Sequence, residues 1–371
     1  MTTVPDKIDT WQMVQPTAKN KDTGETTPGK LAKATLPVPS LSPDEVLVKV
    51  AGCGVCHTDL GYFYDGVPTV QKPPLTLGHE ISGTVIAGDE KWVGKEVIIP
   101  AVMPCRKCFL CKTGRGNRCL AQKMPGNSLG VYGGFSSHIP VPSIDLCEVR
   151  NRGNDMALEH LAVVADAVTT PYQAAKRADL QAGDNVIIIG VTGGVGVYMA
   201  QTAKALGARA VIGIARNPEK LKRALNYGAD FVISSQDKAV KDVRNEFREI
   251  CKKNGLEAGF GWKIFEVSGT KAGQDMALEF LSFTGKLVII GFGMAKNEYS
   301  ISRLMAFDAE IIGTWGCLPE YYPIVLGMVL SKKINISPFV ETRPMSQIQS
   351  VFDEVHKAGS PEKRIVLTPD F

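Results

Sequence analysis

Val186-Ile187-Ile188-Ile189-Gly190-Val191-Thr192-Gly193-Gly194-Val195-Gly196 is a branched apolar run that breaks into glycines. An unbroken run of branched residues reads as a strand buried on both faces. Gly190 supplies the tight turn after it. Gly193 and Gly194 let backbone N–H groups approach an anion at a helix N-terminus, and Gly196 permits close helix–sheet packing. The spacing G-x-x-G-G-x-G is one residue longer than the commonest dinucleotide fingerprint, so its context decides. Strands are expected at 186–190, 210–214, 231–233, 263–267 and 286–290. Helices are expected at 171–180, 195–206, 218–227, 238–253 and 272–282. Strand–helix alternation of this kind predicts a doubly wound parallel sheet covered on both faces, with the glycine turn as its dinucleotide site.

Upstream the texture differs. Short β-rich runs at 46–50, 81–86 and 96–99, with weaker ones at 138–142 and 146–149, are broken by Gly and Pro, which predicts a compact β-rich domain. After about residue 312 come an apolar helix (321–331), a helix (345–357) and a strand (364–368), too few for a third domain and expected to complete the first. The 371 residues suffice for two cores. A net charge of +4 gives no reason to expect nucleic acid. The first 30 residues are polar, with no apolar signal segment, and the charge-free run 185–203 carries four glycines, so neither secretion nor a membrane span is expected. The expected location is the cytoplasm.

Cys105, Cys108, Cys111 and Cys119 follow C-x2-C-x2-C-x7-C in a loop rich in Gly, Lys and Arg. Four thiolates on a short excursion close a tetrahedral site with no position left for substrate, the arrangement of a structural zinc. Arg106, Lys107, Lys112, Arg115 and Arg118 are expected to favour the thiolate forms. An iron–sulfur cluster is the competing reading, but the x7 spacing and the absence of a following Pro depart from its motif.

Three further fragments stand apart: Gly52-Cys53-Gly54-Val55-Cys56-His57-Thr58-Asp59, Gly78-His79-Glu80, and Asp166-Ala167-Val168-Thr169-Thr170. Each alone has a bland reading as a buried thiol, a surface histidine or a helix entry. Together with the four-Cys loop and the glycine turn, in this order, they resemble the zinc-dependent medium-chain alcohol dehydrogenases. The resemblance implies a β-rich GroES-like catalytic domain (1–166 and 313–371) and a Rossmann cofactor domain (167–312). It implies two zinc ions per chain. One is structural; the other is catalytic, with Cys56, His79 and Asp166 as ligands. Asp166 stands where many members carry a third Cys. One thiolate, one carboxylate and a neutral imidazole balance Zn²⁺, and the harder carboxylate leaves the ion more Lewis-acidic. Glu80 resembles the neighbouring carboxylate able to exchange onto the metal. Asp59 resembles the partner that orients His79, and Thr58 the hydroxyl that takes the alcohol's proton. Some members pass that proton to a His three residues on; here that position is Gly61. His57 resembles a pyrophosphate contact. Thr170, Gly291 and Gly293 match positions that hold the nicotinamide, and Arg364 a late Arg reaching the pyrophosphate. His138 and His160 read as structural.

The second strand of the cofactor unit ends Ala215-Arg216. The usual ribose-binding acid is missing, and Arg216 suits a 2′-phosphate, which favours NADP. Overall likeness points the other way. The long polar lead-in before Gly29, the opening Trp11-Gln12-Met13-Val14, His57-Thr58-Asp59-Leu60-Gly61-Tyr62-Phe63-Tyr64-Asp65-Gly66 and Ala165-Asp166-Ala167-Val168-Thr169-Thr170-Pro171-Tyr172-Gln173 resemble the 6-hydroxycyclohex-1-ene-1-carbonyl-CoA dehydrogenases of anaerobic benzoyl-CoA degradation, which use NAD. NAD is therefore the expected cofactor and NADP the alternative. The resemblance implies hydride transfer from a secondary ring alcohol on a CoA thioester, with Tyr62, Phe63 and Tyr64 as candidates for the ring pocket. The competing expectation is an NADP-linked dehydrogenase of simple secondary alcohols or sugars. Residues 310–316 resemble the edge strand through which family members pair, so a homodimer or homotetramer is expected.

Overall fold

The computed structural model describes residues 4–20, 22–358 and 362–371. The chain divides into two compact units. The first comprises Met1–Thr169, Gly316–Leu330 and Ile336–Phe371; the second comprises Thr170–Trp315 and Ser331–Asn335.

The first unit is built on a seven-stranded, mostly antiparallel sheet. Its order is Cys147–Glu148, Glu96–Ile99, Glu80–Gly88, Glu45–Gly54, Arg364–Thr368 and Val340–Pro344, with His138–Pro142 also paired to Glu45–Gly54. Val46, Val48, Val50, Ile81, Val85, Val97, Ile99, Ile139 and Val141 pack with Phe135, Phe352 and Ile365 in one core. Register places the chemistry. Gly54 lies opposite Glu80 and also opposite Val366, so the residues after Gly54, before Glu80 and around Arg364 meet at one end of the sheet. Gly54 has to be glycine: a Cβ there would stand 2.1 Å from a Glu80 carboxylate oxygen.

The second unit holds a six-stranded parallel sheet in the order Phe231–Ser234, Ala210–Ala215, Asn185–Ile189, Lys263–Glu266, Lys286–Ile289 and Glu310–Gly313. This is the 3-2-1-4-5-6 order of a dinucleotide-binding sheet. Val186 and Ile188 face one core with Val211, Met199 and Leu221. Ile187 and Ile189 face the other with Ile212, Phe247 and Trp262. The alternation explains the unbroken apolar run 186–189: both faces of the strand are buried there.

The strands Lys7–Gln15 and Lys30–Pro37, antiparallel to each other, escape the sequence reading. Thr10 and Gln12 are buried beside Ile8 and Met13, so polar residues mask the two-residue period. The charge-free run 185–203 is a strand, a turn and the start of a helix. Among the described residues, no helix is long and apolar enough to cross a membrane.

Candidate metal centre and glycine loops

Cys56 follows the strand Glu45–Gly54 and caps the helix His57–Phe63. The fully buried Asp59 lies one turn into that helix. One of its oxygens accepts the backbone N–H of Cys56 at 3.0 Å. The other accepts the N–H of Gly78, also at 3.0 Å, and lies 3.4 Å from Nδ1 of His79. One carboxylate thus fixes two segments about twenty residues apart. The histidine contact at 3.4 Å is not a full hydrogen bond, and Nδ1 is buried and aimed at the carboxylate.

On its other side the imidazole presents Nε2 at 3.5 Å from Oδ2 of Asp166, and the Cys56 sulfur lies 3.8 Å from the same oxygen. Ligand atoms at about 2.0–2.3 Å from one tetrahedral ion stand about 3.3–3.8 Å apart. The observed separations match that shell. Cys56, His79, Glu80 and Asp166 each offer a donor atom within 4.8 Å of the others. Cys56 and His79 are buried, and Asp166 is partly open. Burial opposes a charge on His79. Asp59, together with contacts to Asp166 and Cys56, outweighs it and holds the imidazole well above its ordinary pKa. The donor set is anionic and suits a divalent cation.

Glu80 and Arg364 form a fully buried, two-pronged ion pair, with Nε donating to Oε2 at 2.9 Å and Nη2 to Oε1. The expectation for Arg364 was a pyrophosphate contact; in the structure its guanidinium is committed to Glu80. A buried guanidinium needs a buried carboxylate as partner. No sequence signal links two residues 284 positions apart. Thr58 Oγ1 lies 3.6 Å from the Cys56 sulfur, and His57 is exposed. Phe63 is not a pocket residue: it sits in the core, edge-on to Tyr64 and Phe352. Tyr62 pairs with Asn127, and Tyr64 donates to Asp353 at 2.5 Å. His138 and His160 lie outside both donor clusters.

In the four-Cys loop the sulfurs of Cys105 and Cys111 are 3.9 Å apart, those of Cys108 and Cys111 3.4 Å, and those of Cys108 and Cys119 3.7 Å. Sulfurs around one zinc at about 2.3 Å would stand about 3.8 Å apart. All nine cysteines are free thiols. Backbone N–H groups of Lys107 and Cys108 lower the Cys105 pKa to about 6. Burial and the neighbouring sulfurs push Cys111 up to about 12. The sequence predicts that the flanking cations do the lowering. Backbone amides dominate instead, and Arg106 is turned onto the buried Asp145. Without a cation the four thiols cannot all ionise, which is why the cluster fits zinc.

In the second unit Gly190 has φ +92°, and a Cβ there would press on Ser268 at 2.9 Å. A Cβ on Gly196 would meet the Gly190 carbonyl oxygen at 2.2 Å. Gly193 and Gly194 lie partly open between them. The turn after Lys263–Glu266 and the loop after Lys286–Ile289 interlock. A Cβ on Gly291 would stand 2.1 Å from the Gly269 nitrogen, and one on Gly293 2.0 Å from the Gly269 oxygen. Glu266, unmarked by any sequence motif, is buried beneath them and accepts the N–H groups of Ser268 (2.8 Å) and Gly269 (3.2 Å). Arg216 is exposed just past Ala210–Ala215, and Thr170 lies in the first turn of Thr169–Arg177.

An alcohol dehydrogenase GroES-like domain model matches residues 42–151, and a zinc-binding dehydrogenase model matches residues 194–331. The NAD-dependent alcohol dehydrogenase of Sulfolobus acidocaldarius is 32% identical over 289 residues, covering 75% of this chain and 79% of the relative. The sorbitol dehydrogenase of Bacillus subtilis is 30% identical over 283 residues, covering 75% and 76%. The crystal structure of galactitol-1-phosphate dehydrogenase from Escherichia coli superposes with a TM-score of 0.82 at 23% identity, covering 97% of this chain and 100% of that one.

Proposed function

Because the chain belongs to the zinc-binding dehydrogenases of the medium-chain alcohol dehydrogenase superfamily, we propose that Cys56, His79 and Asp166 hold its catalytic zinc and that Cys105, Cys108, Cys111 and Cys119 hold a structural one. The protein is an oxidoreductase acting on CH–OH groups, with zinc and NAD(P) as cofactors. One observation carries the site reading: a thiol, an imidazole and a carboxylate converge within 4.8 Å from positions 56, 79 and 166.

Bound there, zinc supplies the charge that lowers an alcohol's pKa, and the nicotinamide supplies the hydride acceptor. Thr58 Oγ1 receives the substrate's hydroxyl proton in a hydrogen bond. Asp59 holds Cys56 and His79 in place through their backbone and ring contacts. Arg364 neutralises Glu80, so the Cys56 thiolate and Asp166 balance the dication. Position 61 is glycine, so the chain has no histidine there to relay the proton; a Cβ would make only an ordinary contact with Val67 Cγ2 at 3.4 Å. The first unit carries the chemistry, and Gly190, Gly193, Gly194, Gly196, Thr170, Gly291 and Gly293 of the second hold the coenzyme.

The finer reading is a ring alcohol on a CoA thioester, 6-hydroxycyclohex-1-ene-1-carbonyl-CoA, oxidised with NAD. It rests on the resemblance of the polar lead-in and of residues 57–66 and 165–173 to the dehydrogenases of that thioester. Within that lead-in, Thr17 donates its N–H to the Phe63 carbonyl at 2.7 Å, seating it on the helix that carries Thr58. The second reading, an NADP-linked dehydrogenase of simple secondary alcohols or sugars, is favoured by the exposed Arg216 and by the sorbitol dehydrogenase relative. Turnover of the cyclic CoA thioester, CoA-free cyclohexenol and sorbitol, each with NAD and NADP, separates the two. Turnover of sorbitol but not of the thioester rejects the finer reading. Metal analysis giving one zinc per chain rejects the catalytic centre.

A further inference from the structure

The helix Tyr322–Leu330 opens on a tyrosine with no exposed surface. Its hydroxyl donates to the Ala165 carbonyl at 2.5 Å and accepts the Ala101 N–H at 3.0 Å. Both backbone groups lie where regular structure stops. Ala165 ends the 3-10 run Glu159–Ala165, and Asp166 leaves the helical region with φ −144° and ψ −58°. Ala101 follows the strand Glu96–Ile99. A carbonyl at a helical end has lost its ladder partner, and Ala165 is wholly buried.

We propose that Tyr322 is the positioning residue for the third metal ligand: its hydroxyl clamps the Ala165–Asp166 peptide against Ala101 and so aims the Asp166 carboxylate at Cys56 and His79. The inference rests on the reading of those three residues as zinc ligands. The other two ligands have their guide in Asp59. Asp166 sits in an irregular junction, where Thr169 Oγ1 reaches its carbonyl at 3.4 Å. The peptide unit is planar. Fixing the Ala165 oxygen therefore fixes the plane that carries the Asp166 nitrogen and Cα, and with them the origin of the side chain. Ligand-orienting contacts of this kind typically govern metal affinity by about 10–100-fold.

The test uses the full zinc-loaded chain. Zinc transfer to a chromophoric chelator should show a fast phase from the open cluster and a slow one from the four cysteines. Tyr322→Phe keeps the ring and removes the hydroxyl. The fast phase is expected to accelerate about tenfold or more, with the slow phase unchanged as an internal measure of fold. With Asp166→Ala already in place, Tyr322→Phe should add nothing. In cobalt-substituted protein the visible band of the open cluster should shift. Wild-type rates in both phases, equal acceleration of both, or an undiminished effect in the Asp166→Ala background overturns the proposal. Should Tyr322→Phe fail to fold, 3-fluorotyrosine at position 322, a stronger donor of nearly the same shape, is expected to slow the fast phase; an unchanged rate overturns it. A wild-type chain with one zinc defeats the metal-centre reading, whereas two zincs and an indifferent Tyr322→Phe defeat this inference alone.

Discussion

Asp59 joins the two halves of the metal centre with a single side chain. Asp59→Asn keeps the shape but turns one acceptor into a donor facing an N–H group and removes the charge behind His79. We expect open-site zinc affinity to fall about 10–100-fold, measured by competition with a chelator, while the four-Cys zinc stays bound. Glu80 is a different case. Glu80→Gln leaves Arg364 buried with its charge unmatched, and breaking such a pair costs about 3–5 kcal/mol; the shift in the denaturant midpoint measures it. His138 gives a pH signature. Burial, with Lys49 nearby, holds its pKa below the ordinary 6.5. As pH falls through 6.5, the unfolded chain takes up a proton that the folded chain refuses, so stability drops on acidification. His138→Gln should flatten the fall of Tm between about pH 7 and 5.5, as read by calorimetry.

Among the elements, the turn after Lys263–Glu266 and the loop after Lys286–Ile289 touch backbone to backbone. Gly291→Ala has to separate them. Coenzyme affinity is expected to fall by on the order of tenfold to a hundredfold, in a titration of NAD(P)H fluorescence, while zinc content stays the same. That split places the damage in the second unit and not at the metal centre. The strand Glu310–Gly313 is one of the two edges of the parallel sheet. Ile311 and Trp315 are partly exposed on and beside it, and Ile301 and Met305 are exposed in the segment before it. An edge with no further strand beside it among the described residues, and with apolar neighbours, invites pairing with another chain. We expect sedimentation to give at least a dimer; a monomer contradicts this.

At the scale of the whole molecule, the two donor clusters serve separate ends. Removing the open-site zinc is expected to abolish turnover with little change in far-UV circular dichroism. Stripping the four-Cys zinc as well is expected to lower Tm, because that ion closes its loop in place of a hydrophobic core. The sequence alone determined what is local. The parallel sheet was legible because each strand, turn and helix carries its own period and its own glycines, and the four-Cys loop because its donors lie within fifteen residues. The convergence of Cys56, His79 and Asp166 was legible only through family resemblance, since nothing at any one position announces it. The tertiary structure alone decided that Arg364 pairs with Glu80, that Phe63 belongs to the core and that Tyr322 reaches Ala165. The Arg364–Glu80 contact alone spans 284 positions, and sequence periodicity carries no information about which distant segments a sheet register will bring face to face.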